Sequence, residues 1–105
     1  MESTFTKIKH VPIKNGLAGE LGMELFGTLV VLATFIDKDG RCYPTQDHLA
    51  RLTGVTRNTV SKRLNKLCNY YYNGKPLLTK EQHRNVAGTF TNTVYTVNTE
   101  VFSIF

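Results

Sequence analysis

The chain has 105 residues, 41 % of them hydrophobic, enough apolar material for one domain with one core. The longest apolar run, Leu29-Val-Val-Leu-Ala33, falls far short of the roughly 18 residues that span a bilayer, and the N-terminus lacks the basic-then-apolar pattern of a signal peptide. The net charge is +5, and its distribution is more telling than its size: between Asp47 and Glu81 there is no acid, while Arg51, Arg57, Lys62, Arg63, Lys66, Lys75 and Lys80 fall in that interval.

Residues 5 to 14, Phe-Thr-Lys-Ile-Lys-His-Val-Pro-Ile-Lys, show no helical period, and Pro12 excludes a central strand position. They read as an arm with a short edge strand. Two uses stand open. One is a strand that extends the later hairpin sheet. The other is a contact arm, with Lys7, Lys9 and His10 on DNA or Ile8 and Val11 on a partner subunit.

Asn15-Gly16 is a turn signal. Beyond it Leu21, Leu25, Leu29, Leu32 and Ile36 form a helical stripe, with Met23, Phe26, Val30 and Ala33 beside it. So wide an apolar arc predicts a helix covered on more than one side, by the core alone or also by a dimer partner. Gly22 and Gly27 within it each cost up to about 1 kcal/mol relative to Ala. They mark either close approach of another backbone or a tolerated imperfection. Asp37-Lys-Asp-Gly40 ends the helix. It lacks the glycine and glutamate positions of a calcium loop and reads as a polar turn with Gly40 left-handed.

The next stretch, Pro44-Thr-Gln-Asp-His-Leu-Ala-Arg-Leu-Thr-Gly-Val-Thr-Arg-Asn-Thr-Val-Ser-Lys-Arg-Leu-Asn-Lys-Leu67, carries the most information. It predicts one helix from about Thr45 to Leu52, with Leu49 and Leu52 as apolar positions, a turn at Gly54, and a second helix from about Arg57 to Leu67. Thr45 and Thr56 are capping residues. On the second helix Val60, Leu64 and Leu67 fall at roughly 300°, 340° and 280° from Arg57, one narrow core stripe. Arg57, Asn58, Ser61, Lys62 and Asn65 lie between roughly 0° and 140°. That outer face holds cations, amides and a hydroxyl, and no acid. Arg addresses guanine and Asn addresses adenine by paired hydrogen bonds in the major groove. Arg63, near roughly 240°, reads as a structural or phosphate-facing cation.

Asn69 to Gly74 turn the chain, and Leu77 to Gln82 and Thr91 to Val97 read as strands around a polar hairpin tip, His83 to Gly88. Val101 to Phe105 form an apolar tail, either packed on the first helix or the place where a longer chain was cut. The fold class is therefore α+β: a winged helix-turn-helix with a three-helix core, a C-terminal β-hairpin wing and a short N-terminal strand. Residues 1–16 are the arm, 17–98 the winged helix-turn-helix domain and 99–105 the tail.

The expected partner is double-stranded DNA. Arg57, Asn58, Ser61, Lys62 and Asn65 are the base-reading candidates. Thr45, Gln46, Thr56, Lys66, Lys80, Arg84 and Asn85 are the phosphate candidates, which position the protein without specifying sequence. No enzyme is expected. His10, His48 and His83 share no metal-ligand spacing with one another or with Cys42 and Cys68, and no phosphate loop or nucleophile elbow is present. No cofactor, metal or membrane is expected, and the two cysteines read as buried, reduced thiols of a cytoplasmic protein.

The segment from Cys42 to Leu64 resembles the winged-helix domains of replication initiators from plasmids and phages of Gram-positive bacteria, DnaD-like and RepA-type. Phe35-Ile-Asp-Lys-Asp-Gly40 and Thr91-Asn-Thr-Val-Tyr95 fit the same pattern, and the resemblance covers roughly residues 5 to 98. It implies binding at repeated or palindromic origin sites, a homodimer, and replication proteins as partners. Initiators of this kind carry a further recruiting domain, so the resemblance makes this chain a fragment or a stand-alone DNA-binding protein. Gly-Val-Thr-Arg-x-Thr-Val is shared with bacterial transcription regulators, which keeps that reading open. So does the wide apolar helix for a winged helix that serves protein interaction or dimerisation.

Overall fold

Six apolar side chains from the predicted helical stripes, Leu29, Leu32, Leu49, Val60, Leu64 and Leu67, converge and are fully buried. Each contributes roughly 1.5–3 kcal/mol by leaving water. A computed structural model describes residues 5–84 and 90–104, with side chains described outside 83–92. Its elements run β1 (Lys7–Ile8), α1 (His10–Lys14), α2 (Leu17–Leu21), α3 (Met23–Ala33), β2 (Arg41–Cys42), α4 (Gln46–Thr53) and α5 (Arg57–Cys68). They continue with β3 (Tyr71–Tyr72), β4 (Lys75–Pro76), β5 (Leu78–Arg84), β6 (Phe90–Val97) and β7 (Phe102–Ser103). Helices α3, α4 and α5 enclose the core, and the antiparallel sheet β2-β6-β5 closes it with Leu78, Tyr95 and Val97. This is the α+β winged helix-turn-helix. None of its helices is long and apolar enough to cross a membrane, among the described residues.

Several local expectations need correction. Residues 10–14 are a helical turn and not part of an extended arm. Pro12 is its third residue, where the missing N–H would have had no helical partner. The edge strand is present as β1, but it pairs with β7, with Lys7 opposite Ser103 and Ile8 opposite Phe102. It does not extend the wing sheet, whose third strand is β2 beside β6. Thr6 Oγ1 also donates to the Ala33 carbonyl at 3.0 Å. The tail packs back on the long helix, with the Phe102 and Phe26 ring centroids 6.2 Å apart.

The long apolar helix is broken at Gly22, whose φ of 85° and ψ of 152° end α2 and begin α3. Gly22 therefore incurs no helix-interior cost. Gly27 does lie inside α3, yet an added Cβ would meet nothing within 4 Å, so no backbone approaches it closely. Leu52, expected in the core, is 51 % exposed. Helix α4 ends one residue later, and the half-buried Thr53 takes the inward place, its hydroxyl donating to the Leu49 carbonyl. The wing also gains β2, which has only two residues and carries no strand signal in the sequence.

The turn after α3 is built by side chain and backbone together. Asp37 Oδ1 accepts from the Asp39 and Arg41 amides at 2.8 and 3.0 Å. The Arg41 amide bond is the main reason its carboxyl is held below the ordinary carboxylate value. Gly40 has φ of 81°, and its carbonyl accepts from Val97 N at 2.8 Å. A Cβ there would stand 2.6 Å from the Val97 oxygen. Gly40→Ala therefore combines left-handed strain with a backbone clash. A loss of about 1–3 kcal/mol is expected in urea denaturation. An unchanged midpoint and slope would contradict this account of the turn.

Candidate nucleic-acid interface

The two helices of the motif are set by their ends. Thr45 Oγ1 accepts from His48 N at 3.1 Å and caps α4. Thr56 Oγ1 accepts from Thr59 N at 3.2 Å and caps α5, while its proton goes to Thr59 Oγ1 at 3.0 Å. Between them Gly54 is left-handed at φ 73°, and both Gly54 N and Val55 N donate to the Ala50 carbonyl. Nothing crowds a Cβ at Gly54, so it is the backbone angle that calls for glycine.

The stripe Val60, Leu64 and Leu67 is buried, which turns the opposite side of α5 outward. Arg57, Asn58, Lys62, Asn65 and Lys66 are exposed there, and Ser61 is half-buried at the margin. Helix α5 has 12 residues, so it is roughly 18 Å long, a length the major groove of B-DNA admits. Arg63 is set apart from this row. Its side chain is only 19 % exposed and pairs with Glu24 of α3 at 3.5 Å, which ties the back of α5 to the preceding helix.

Lys80, Asn65 and Arg57 already engage neighbours. Lys80 Nζ of β5 donates to Asn65 Oδ1 at 2.6 Å, joining the wing strand to the far end of α5. Gln46 is half-buried, near enough to the Tyr95 hydroxyl of β6 to favour its ionised form. Burial is the main influence raising the Tyr95 pKa, and the nearby Arg57 charge opposes it. Arg57 Nη1 lies 3.6 Å from Asp47 Oδ2. Thr45 and Thr56 are exposed as well as capping. Arg84 belongs to β5, but its side chain lies outside the described residues, as do all of Asn85 and the rest of the expected hairpin tip to Gly88.

Sequence reasoning missed Asp47 and Tyr95 as members of this site. Asp47 is ten positions from Arg57 in a different helix, and no periodicity links them. Tyr95 was visible only as a strand residue. Cys42 is buried, and that pushes its thiol up to about 12, so it stays protonated and unreactive near neutral pH. Among the described residues no group of three His, Cys, Asp or Glu side chains is placed to hold a metal ion.

The fold and this helix pair define a winged helix-turn-helix of the DNA-binding class. A family model described as a helix-turn-helix domain matches residues 19–72, just over half of the chain, and the protein belongs to that family. The matched segment runs from α2 through β3 and contains both helices of the motif; β5 and β6 lie beyond it. No curated protein matches the chain.

The caps have a measurable weight. Thr56→Ala leaves the Thr59 amide in the first turn of α5 without its side-chain acceptor and should cost about 1 kcal/mol in urea denaturation. Thr56→Ser should retain most of that. Equal stability of Thr56→Ala and the parent would contradict the assigned cap.

Proposed function

We propose that the protein binds double-stranded DNA in a sequence-specific manner, with α5 in the major groove and the wing on flanking phosphates. One observation carries this: the exposed face of α5 holds Arg57, Asn58, Lys62, Asn65 and Lys66 with no carboxylate on the helix itself. Arg57, Asn58, Ser61, Lys62 and Asn65 address bases in this reading. Thr45, Gln46, Thr56, Lys66, Lys80, Arg84 and Asn85 address the sugar-phosphate backbone. Residues 17–98 form the DNA-binding unit, flanked by the 1–16 arm and the 99–105 tail. The role is binding without catalysis or cofactor, in the cytoplasm.

The particular role we favour is recognition of a plasmid or phage replication origin. It rests on the resemblance of Cys42 to Leu64 to initiator winged helices. A homodimer on repeated sites and contacts with replication proteins go with that role. The open face of α3 supports a self-association surface, since Met23 is 67 % exposed and Gly27 and Val31 are half-buried in the same groove. Transcription regulation is the second reading and rests on the shared Gly-Val-Thr-Arg-x-Thr-Val run.

Mobility-shift titrations against random duplex at several salt concentrations test the binding itself. Arg57→Ala should cost roughly 1–3 kcal/mol on a selected site and relax preference at one base pair. Lys66→Ala should weaken all duplexes alike and flatten the salt slope by about one unit. Absence of salt-dependent duplex binding would overturn the proposal in favour of a protein-interaction module. Selection of bound genomic fragments separates origin repeats from promoters.

A further inference from the structure

We infer that Asp47 is a positioning residue for sequence readout: it holds one nitrogen of Arg57 so that the remaining edge of the guanidinium faces a guanine. The inference rests on the DNA-binding reading above and assigns Arg57 one base type within it.

The geometry begins with two helix starts. Asp47 is the second residue of α4 and Arg57 the first of α5. The turn at Gly54 brings these first turns together, and Arg57 Nη1 comes to 3.6 Å from Asp47 Oδ2. The two side chains are 67 % and 70 % exposed. The pair itself, so open to water, contributes little to folding, and the separate effect of the Asp47 charge on the first turn of α4 does not involve Arg57. The carboxylate's effect on DNA binding is larger. A negative charge beside the recognition helix repels phosphate and weakens non-specific affinity.

Arginine has five N–H donors in a planar fork. A carboxylate on one terminal nitrogen leaves the others available, and two of them match guanine O6 and N7. The same carboxylate competes with phosphate for Arg57. It therefore favours the base edge over the backbone by two routes, by limiting the rotamers of a long side chain and by screening its charge.

A double-mutant cycle on duplex tests this. Asp47→Asn, Arg57→Ala and the double variant are titrated against a site selected from random duplex, against single base-pair variants of it, and against unrelated duplex. Melting curves establish that each variant is folded. Asp47→Asn should reduce discrimination for guanine at the Arg57 position about two- to fivefold. It should also raise affinity for unrelated duplex and steepen the salt slope by up to about one unit. In the Arg57→Ala background it should leave base preference unchanged. A role limited to the α4 dipole would lower the melting temperature and move none of the binding readouts, which would overturn the inference. Equal loss of discrimination with and without Arg57 would overturn it too. If the parent protein shows no salt-dependent duplex binding, the DNA-binding reading falls and the inference with it. Duplex binding with guanine discrimination intact in Asp47→Asn removes the inference alone.

Discussion

The left-handed turn at Gly54 is the constraint on which the rest of the site depends. With φ at 73°, the chain doubles back in three residues, and one carbonyl, that of Ala50, accepts the amides of both Gly54 and Val55. Val55 then packs against the core while Thr56 starts the next helix. This arrangement lets Leu49 of α4 share a core with Val60 and Leu64 of α5. The inward stripe of α5 is thereby anchored, and its outward face follows from the helical period. A non-glycine residue at position 54 would carry a left-handed cost of roughly 1–2 kcal/mol against the small net stability of a domain this size.

The outward face is less like a row of independent side chains than a helical wheel implies. At one end Arg57 meets Asp47, and at the other Asn65 accepts from Lys80. Arg63 leaves the row to pair with Glu24. The first contact aims a cation, the second joins wing and helix, and the third fastens the helix from behind. Lys80 and Asn65 are both exposed, so the wing strand and the recognition helix present their polar groups as one surface. Contacts of this kind restrict side-chain freedom before any ligand arrives, and binding then loses less rotamer entropy.

The chain ends serve the core from the other side. Strands β1 and β7 pair, Lys9 N donates to the Val101 carbonyl at 2.8 Å, and Val101 and Phe102 are buried. The arm and the tail therefore support each other over α3. The small hairpin β3–β4, turned at Asn73 and Gly74 with φ of 53° and 78°, directs the chain from α5 into the wing. Tyr70, just before it, donates its hydroxyl to Glu20 and links that exit to α2.

Much of this architecture was legible in the residues. The spacing of Val60, Leu64 and Leu67, the capping threonines at 45 and 56, and Gly54 between them specify the helix pair, because each acts through local geometry of period 3.6 or a single backbone angle. The acid-free interval marked the charged side for the same reason: composition along the chain needs no folding to be read. What stayed hidden depended on partners remote in sequence. Strand β2 exists only because β6 lies beside Arg41 and Cys42. Strand β1 found β7 and not the wing, and Leu52, within α4, is left half exposed while Leu49 of the same helix is fully buried. Asp47 gained its place next to Arg57, and Lys80 its place on Asn65, when the turn and the wing brought separate elements together. The sequence by itself determined the helix-turn-helix and the chemistry of its outer face, since both follow from local periodicity. Only the tertiary structure decided which of those side chains are held and by what, since side-chain hydrogen bonds and ion pairs are set by distances in space that spacing along the chain does not encode.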